Sequence, residues 1–552
     1  MSKSEHHTFP KGASRPAQPT PRLAGAVLCL SAIALCSKVF GWGEKFVIAH
    51  FFGTSGAADV FFASTTIILS VVYLVKELVY PCLLPVLSQC LQQTGSEFFA
   101  LFRMVFVVVA LLMAGVAALL VVFAEQVTSL CMPGFSGEKY DLTVSLLRTL
   151  GPVVPLLGLT MVSATALNAR RHFVRAAWPE ALLKCLSVLA LVALAPLLGI
   201  RAYPVGLMLG AASCLTLQLY YLPESRQFLQ RFRRSERLAE SRRKVLLLMS
   251  PLLLGILFSH ISGLIDNLLA SRLPDGQLSF LGYGKKLLDA ILLIGPVALV
   301  TVMFSQLSHL ASTGDREGFK DLMARAFRFT IYLSLPATCL LLLVSQTLVW
   351  LLLQRGAFTE ISTSGTASAL SIYLLGLITF SLEPLLVHGF FSLSNTKTPV
   401  KLGILGVILD IILALLLIGR FEYLGIAAAL LISKTLKVLS LAYLLDRRLD
   451  GALRLGLGPF LLKQAVIGTG VCVAVLLALK VNHAPTFLAT LGHDLVLPSL
   501  SALIAFLLCS YLTRSDELKL VTSLVKRITP VSNVLAGIST QKTALLRLCR
   551  WS

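Results

Sequence analysis

Ionisable side chains stand inside the most apolar stretches of this chain. The segment SKVFGWGEKFVIAHFFG, residues 37 to 53, carries Lys38, Glu44 and Lys45. Lys76 and Glu77 lie in the next apolar run, Lys286 and Asp289 in a later one, and Asp266, Glu383, His388, Asp410, Lys434 and Lys437 in others. A Lys or Asp near the centre of a bilayer costs on the order of 3 kcal/mol, so such residues face a partner or a wet cavity. Two kinds of chemistry follow. Cavity lysines hold an anion as point charges, whereas lysines paired with carboxylates fasten helices to one another. Lys38 and Lys45 are two helical turns apart and project from about one face. Glu44 is turned by about 100° from Lys45, toward a neighbouring helix such as the one bearing Lys76. The plainer alternatives are that Lys45 snorkels to the interface and that Lys38 pairs with Glu77 or Asp289. Glu383 precedes Pro384, where a kink is expected, and Asp410 has Lys434 as a candidate partner.

Catalysis is poorly supported. A lipid-linked transferase or ligase needs carboxylates or His presented over the membrane surface, and the longest outer loop, about 124–141, offers only Glu125, Glu138 and Asp141. There is no Gly-x-Ser-x-Gly, His-Glu-x-x-His or Walker-type Gly-Lys-Ser/Thr. The 11 cysteines are scattered, without a Cys-x-x-Cys pair or a Cys/His cluster at ligand spacing, so neither a zinc site nor a disulfide framework is indicated. No metal or organic cofactor is expected.

The elements that position these charges are membrane spans. The 552 residues are 56% hydrophobic and 14% charged, with a mean hydropathy of +0.83 and apolar runs of about 20 residues recurring throughout. The fold class is an all-α polytopic membrane protein. Hydropathy places spans near 24–50, 58–88, 100–123, 143–168, 176–199, 203–222, 246–271, 284–311, 328–353, 364–392, 401–419, 423–445, 460–480 and 492–513, about 14 in all. Lys and Arg then alternate. "NARRHFVR", the 224–244 segment, "DRRLDGALR" and the tail after Thr513 fall on one side, while "TSGAAD" and "VNHAPTFLATLGH" on the other have none. The loop after the second span lacks both residues and breaks the alternation. The net charge of +21 thus reads as topology with both termini cytoplasmic, not as a nucleic-acid surface. The expected organisation is a disordered cytoplasmic tail 1–22, a six-span N-lobe 23–222, a basic linker 223–245, a six-span C-lobe 246–445, two further spans 446–513 and a basic tail 514–552. A faint repeat agrees with parallel halves: "CMPGFSGEKYDLTVSLL" (131–147) parallels "LQRGAFTEISTSGTASAL" (353–370).

The stretch "SKVFGWGEKFVIAHFFGTSGAADVFF" (37–62), then "PGF" (133–135), "YGKKLLD" (283–289), "RGAFT" (355–359) and "KTPVK" (397–401) together resemble the MviN/MurJ family of the multidrug/oligosaccharidyl-lipid/polysaccharide exporter superfamily. The resemblance implies a two-lobed, V-shaped, multi-pass protein of the bacterial inner membrane. Its central cationic cavity would move lipid II, undecaprenyl-pyrophosphate-linked disaccharide peptide, to the outer leaflet, with spans 13 and 14 forming a groove for the lipid tail. Lys38 and Lys286 take two of the family's Arg positions, Glu44 takes a third and is followed by Lys45, and Asp59 matches the Asp before span two. A basic pair aligns with Val71 and Val72, and the next acidic position reads Lys76. The substrate-binding candidates are therefore Lys38, Glu44, Lys45, Asp59, Lys76 and Lys286. Some family members couple transport to sodium through spans seven and eleven, which makes Asp266 and Asp410 ion-coupling candidates, with membrane-potential coupling as the other drive. An Asn expected one turn before Asp410 is Gly406. Expected partners are lipid II, membrane lipids and cell-wall or division proteins. A related exporter of another polyprenyl-linked saccharide, a drug/cation antiporter, and a non-transporting scaffold acting through the 224–244 loop and the tail remain the alternatives.

Overall fold

The computed structural model describes residues 21–93, 95–222, 236–294, 303, 306–480 and 492–518. The far N-terminal tail, most of the basic linker and most of the C-terminal tail lie outside the described residues. Among the described residues there is no strand. The helices are α1 (Pro21–Phe52), α2 (Gly56–Gln93), α3 (Gly95–Val122), α4 (Ala124–Cys131), α5 (Gly137–Leu150), α6 (Val153–Ala169), α7 (Phe173–Leu198), α8 (Ala202–Tyr220), α9 (Glu236–Ala270) and α10 (Gln277–Ile294). They continue as α11 (Arg316–Leu343), α12 (Ser345–Leu353), α13 (Glu360–Leu375), α14 (Leu377–Ser392), α15 (Lys397–Arg448), α16 (Leu457–Leu479) and α17 (Leu497–Leu512).

Among the described residues, seven helical stretches are long and apolar enough to cross a membrane, or up to 9 when each of two bent pairs is one span. Two of the seven are too long for one crossing, since about 20 residues suffice. The 52-residue α15 leaves helical geometry at Glu422 (φ 51, ψ −132). Its arms fold back, so that Lys437 of the second lies against Gly403 and Gly406 of the first. The 48-residue stretch Phe173–Tyr220 likewise turns at Gly199, and α8 returns along α7. Gly206 and Gly210, one turn apart, bring α8 onto the backbone of Ser187 and Leu183. Small residues at this spacing give close van der Waals contact where no hydrophobic drive acts between helices.

The chain divides into two compact units. The first comprises residues 1–44, 75–118 and 152–249, and its centre is the α6, α7 and α8 bundle. Its cations rest on rings: Arg170 lies 4.8 Å from the Phe98 ring and Arg175 5.7 Å from Tyr221. The second comprises 45–74, 119–151 and 250–552. Its core runs through Phe319, Met323, Tyr332, Leu385, Phe390 and Leu445, and the Tyr332 hydroxyl bonds Ser510 at 2.9 Å to tie α11 to α17.

Both bent pairs break at glycine. α5 ends and α6 begins at Gly151–Pro152, where proline has no amide to donate. α13 and α14 meet at 46° at Gly376. Pro384 lies inside α14. The Gly376 carbonyl accepts both the Phe380 amide at 2.8 Å and the Thr379 hydroxyl at 2.7 Å.

Candidate functional site

Asp59 is the best-satisfied charge in the second unit. It is fully buried at the start of α2 and reaches the N-terminus of α10. Oδ2 accepts from the Gly276 amide at 2.8 Å and Oδ1 from the Ser279 amide at 2.8 Å and the Ser279 hydroxyl at 2.5 Å. A carboxylate here does from another helix what a cap residue does locally, completing orphan amides at the positive end of the helix dipole. Lys139, on α5, donates to Asp59 at 2.8 Å and to Asp275 at 2.7 Å, and its ammonium lies 4.3 Å from the Phe135 ring.

Close backbone packing surrounds this knot. Gly53 has φ +55, and a Cβ there would overlap the Ala357 carbonyl. A Cβ at Gly134 would overlap the Ser271 carbonyl. The Ala357 amide donates to the His50 carbonyl at 2.8 Å, the Tyr283 hydroxyl to the Gly53 carbonyl at 3.0 Å, and Thr54 and Ser362 share a hydrogen bond of 2.7 Å. Tyr283 packs edge-on to Phe62 and to Phe358, with ring centroids 4.8 Å and 5.4 Å apart. The tips of α1, α2 and α5 are thus sealed onto α10 and the 355–362 turn.

A second polar cluster joins α9, α10, α13, α14 and both arms of α15. Asp410 is 2% exposed and accepts from Ser262 at 2.8 Å and Ser433 at 3.3 Å. Asp266, on α9, is partly buried. Asp266 and Asp410 are electrostatic neighbours of each other, of Lys285 and of Tyr373. Lys434, the expected partner of Asp410, instead reaches Glu383 at 2.8 Å and 3.1 Å, and Lys437 reaches the same carboxylate at 2.5 Å. Lys286 and Asp289 form a half-exposed pair at 3.3 Å.

The α1 candidates divide by burial. Lys38 is exposed and makes no hydrogen bond or ion pair among the described residues of its unit. Glu44 is 3% exposed. Lys45 is partly buried, with its ammonium 4.5 Å from the Phe61 ring. Lys76 is exposed on α2. At the other end of the second unit, Arg316 and Lys320 bind Asp450 at 3.0 Å each. The Lys320 hydrogen bond, then the Arg316 charge, hold the Asp450 carboxyl below its usual range.

Both Asp410 oxygens are engaged by hydroxyls. Gly406 supplies no side-chain oxygen, and the Lys437 alkyl chain fills the space beside it, 3.5 Å from where a Cβ would be. Among the described residues no group of three or more His, Cys, Asp or Glu converges.

Three participants escaped sequence reasoning: Lys139, Ser279 and Lys285. The first lies in the 131–147 stretch, which the sequence offers only as one half of a repeat. Nothing in it points to Asp59, which is 80 residues away.

A family model described as Lipid II flippase MurJ matches residues 48–493. A probable lipid II flippase MurJ from Haemophilus influenzae is 29% identical over 440 residues, covering 76% of this chain and 85% of the relative. That from Vibrio cholerae is 27% identical over 426 residues, covering 74% and 80%. Among solved structures, a lipid II flippase MurJ in an inward closed conformation superposes with a TM-score of 0.73 at 19% identity, covering 89% of this chain and 99% of the other. An inward-facing multidrug resistance MATE transporter of the MOP superfamily gives 0.66 at 11% identity, covering 77% and 99%. At these identities the two structures speak for the fold alone.

Proposed function

Because the chain belongs to the lipid II flippase MurJ family, we propose that it carries lipid II from the cytoplasmic to the outer leaflet of the bacterial inner membrane by alternating access. It is a transporter, not an enzyme. The observation that carries the reading is the family match across most of the chain, including every charged span from Asp59 to Lys437. The arrangement around Asp59 supports it physically. On the positive-inside reading, with about 14 spans and both termini cytoplasmic, the Asp59 seal lies at the outer ends of the spans. Closing that end while lysines stay exposed elsewhere is what a carrier needs to admit a pyrophosphate from the inside. Lys38 and Lys286, the matched positions that retain positive charge, are the proposed contacts for it: the first makes no ion pair among the described residues of its unit, and the second is held by a half-exposed carboxylate. Release outward requires Asp59 to leave the amides of Gly276 and Ser279 and Lys139 to leave Asp59. Cell-wall or division proteins are further partners on this reading.

Rescue tests it. A bacterium depleted of its own lipid II flippase and expressing this chain should resume peptidoglycan synthesis. Lysis of such cells, with the protein present in their membranes in normal amount, would overturn the reading.

A further inference from the structure

Where α11 begins and α15 ends, the second unit holds an open-mouthed cavity of about 450 Å³, a size that small-molecule sites commonly have. Its floor is apolar. Phe319 and Leu449 are each 2% exposed, and Leu310 and Leu393 pack against the same core. Its walls are charged, with Arg316, Arg447 and Arg448 beside Asp315 and Asp450.

The carboxylates here are already engaged. Asp450 is held by Arg316 and Lys320 at 3.0 Å each, and Asp315 caps α11 by accepting from the Gly318 amide at 2.9 Å. Asp446, just before the arginine pair, goes to Arg454 at 2.7 Å. Arg447 and Arg448 are exposed and make no ion pair among the described residues, although the Arg447 guanidinium lies 5.9 Å from the Tyr443 ring. Arg316 also donates to the Arg448 carbonyl at 3.2 Å, so the end of α15 is tied to the start of α11 and the pair is held at the cavity wall. Two adjacent arginines without a counter-charge suit a phosphate, whose oxygens a guanidinium grips bidentately. The apolar floor adds a second requirement. A small hydrated anion gains nothing from Phe319 and Leu449, whereas a phosphate that continues into a less polar body buries surface there.

Position names the source of such a ligand. Arg316 opens one candidate membrane span and Arg448 closes another, and Leu393 directly follows α14, so the cavity lies at the level where helices leave the hydrocarbon and headgroups stand. On the positive-inside reading this is the cytoplasmic end, beside the anionic leaflet. We infer that the cavity binds the headgroup of an anionic phospholipid of that leaflet, with its phosphate on Arg447 and Arg448 and its glyceryl end over Phe319, Leu393 and Leu449. The inference does not depend on what the protein transports.

Native mass spectrometry of the full chain, released from phosphatidylcholine nanodiscs that contain a minor fraction of phosphatidylglycerol, reads the lipid it retains. The parent should keep phosphatidylglycerol in preference to phosphatidylcholine, and Arg447→Gln/Arg448→Gln should weaken that retention by about tenfold or more. A double variant with the parent's thermal midpoint and the parent's retention would overturn the inference. Arg242→Gln/Arg243→Gln, which removes an exposed pair on α9, should leave retention unchanged, and an equal loss there would reduce the effect to overall surface charge and overturn the site. Ala311→Trp fills the cavity from its wall while keeping every charge, so it should weaken retention too; a folded Ala311→Trp protein that retains the lipid as the parent does would also overturn it. Inorganic phosphate added before release should not displace the lipid. Displacement would assign the cavity to a soluble anion and sink the phospholipid.

Discussion

Asp59 and Lys139 meet across 80 residues of sequence, and Lys139 holds Asp275 as well. Removing the Asp59 carboxylate orphans two buried backbone amides and a hydroxyl and leaves Lys139 with Asp275 alone. Breaking a buried, hydrogen-bonded pair in this way costs about 3–5 kcal/mol, so Asp59→Ala should lower the thermal midpoint of the detergent-purified protein markedly. Asp59→Asn keeps an acceptor and should cost about 1–2 kcal/mol, and an unchanged midpoint for both variants would show that the seal contributes nothing. For the cavity, Lys38→Ala and Lys286→Ala should each abolish rescue of flippase-depleted cells while the protein still accumulates. Arg at either position should preserve rescue, because a planar guanidinium grips phosphate bidentately. Full rescue by the Lys38→Ala/Lys286→Ala double variant would remove both residues from the transport path. The charges themselves were legible from sequence, since each interrupts an apolar run. Their pairing was not: Lys434 sits within one residue of a serine that bonds Asp410, yet its ammonium goes to Glu383, a choice made by side-chain reach across three segments.

Helices extend beyond the apolar runs that announce them. The expected span 58–88 lies within Gly56–Gln93, and 246–271 begins ten residues into α9, after the polar turn "ERLAESRRK". Hydropathy marks where lipid begins, whereas the backbone goes on pairing until a breaker stops it. The bends were less legible. One falls at Gly376, which no proline marks and where Phe380 and Leu431 stand against the position a Cβ would take. The short connections carry the closest packing. Gly53, between α1 and α2, combines a left-handed backbone with contact against the Ala357 carbonyl. Gly53→Ala should therefore destabilise the protein by more than about 1 kcal/mol, read as a lower thermal midpoint. An equal or higher midpoint would mean that the turn relaxes freely and that the seal tolerates separation of the α1 tip from the 355–362 turn.

At the scale of the whole molecule, a net charge of +21 is distributed so that orientation follows from it. Basic residues crowd the 224–244 segment and the tail after Thr513, and the segment around His483 has none apart from Lys480. Each Lys or Arg near an anionic cytoplasmic surface is stabilised by about 1 kcal/mol, so placing these loops outside would forfeit many such contributions at once. The alternation also depends on the number of spans: adding or losing one between residues 245 and 480 would put the 224–244 segment and the C-terminal tail on opposite sides. A reporter active only outside the cytoplasm should accordingly be silent when fused at Arg234 or after Ser552, and active after His483. The pair at Arg234 and His483 tests the orientation of the seven intervening spans, and the pair at His483 and Ser552 tests the last one. Activity at Arg234 with silence at His483 would invert the protein, put the Asp59 seal on the cytoplasmic side and leave the proposed direction of closure without support.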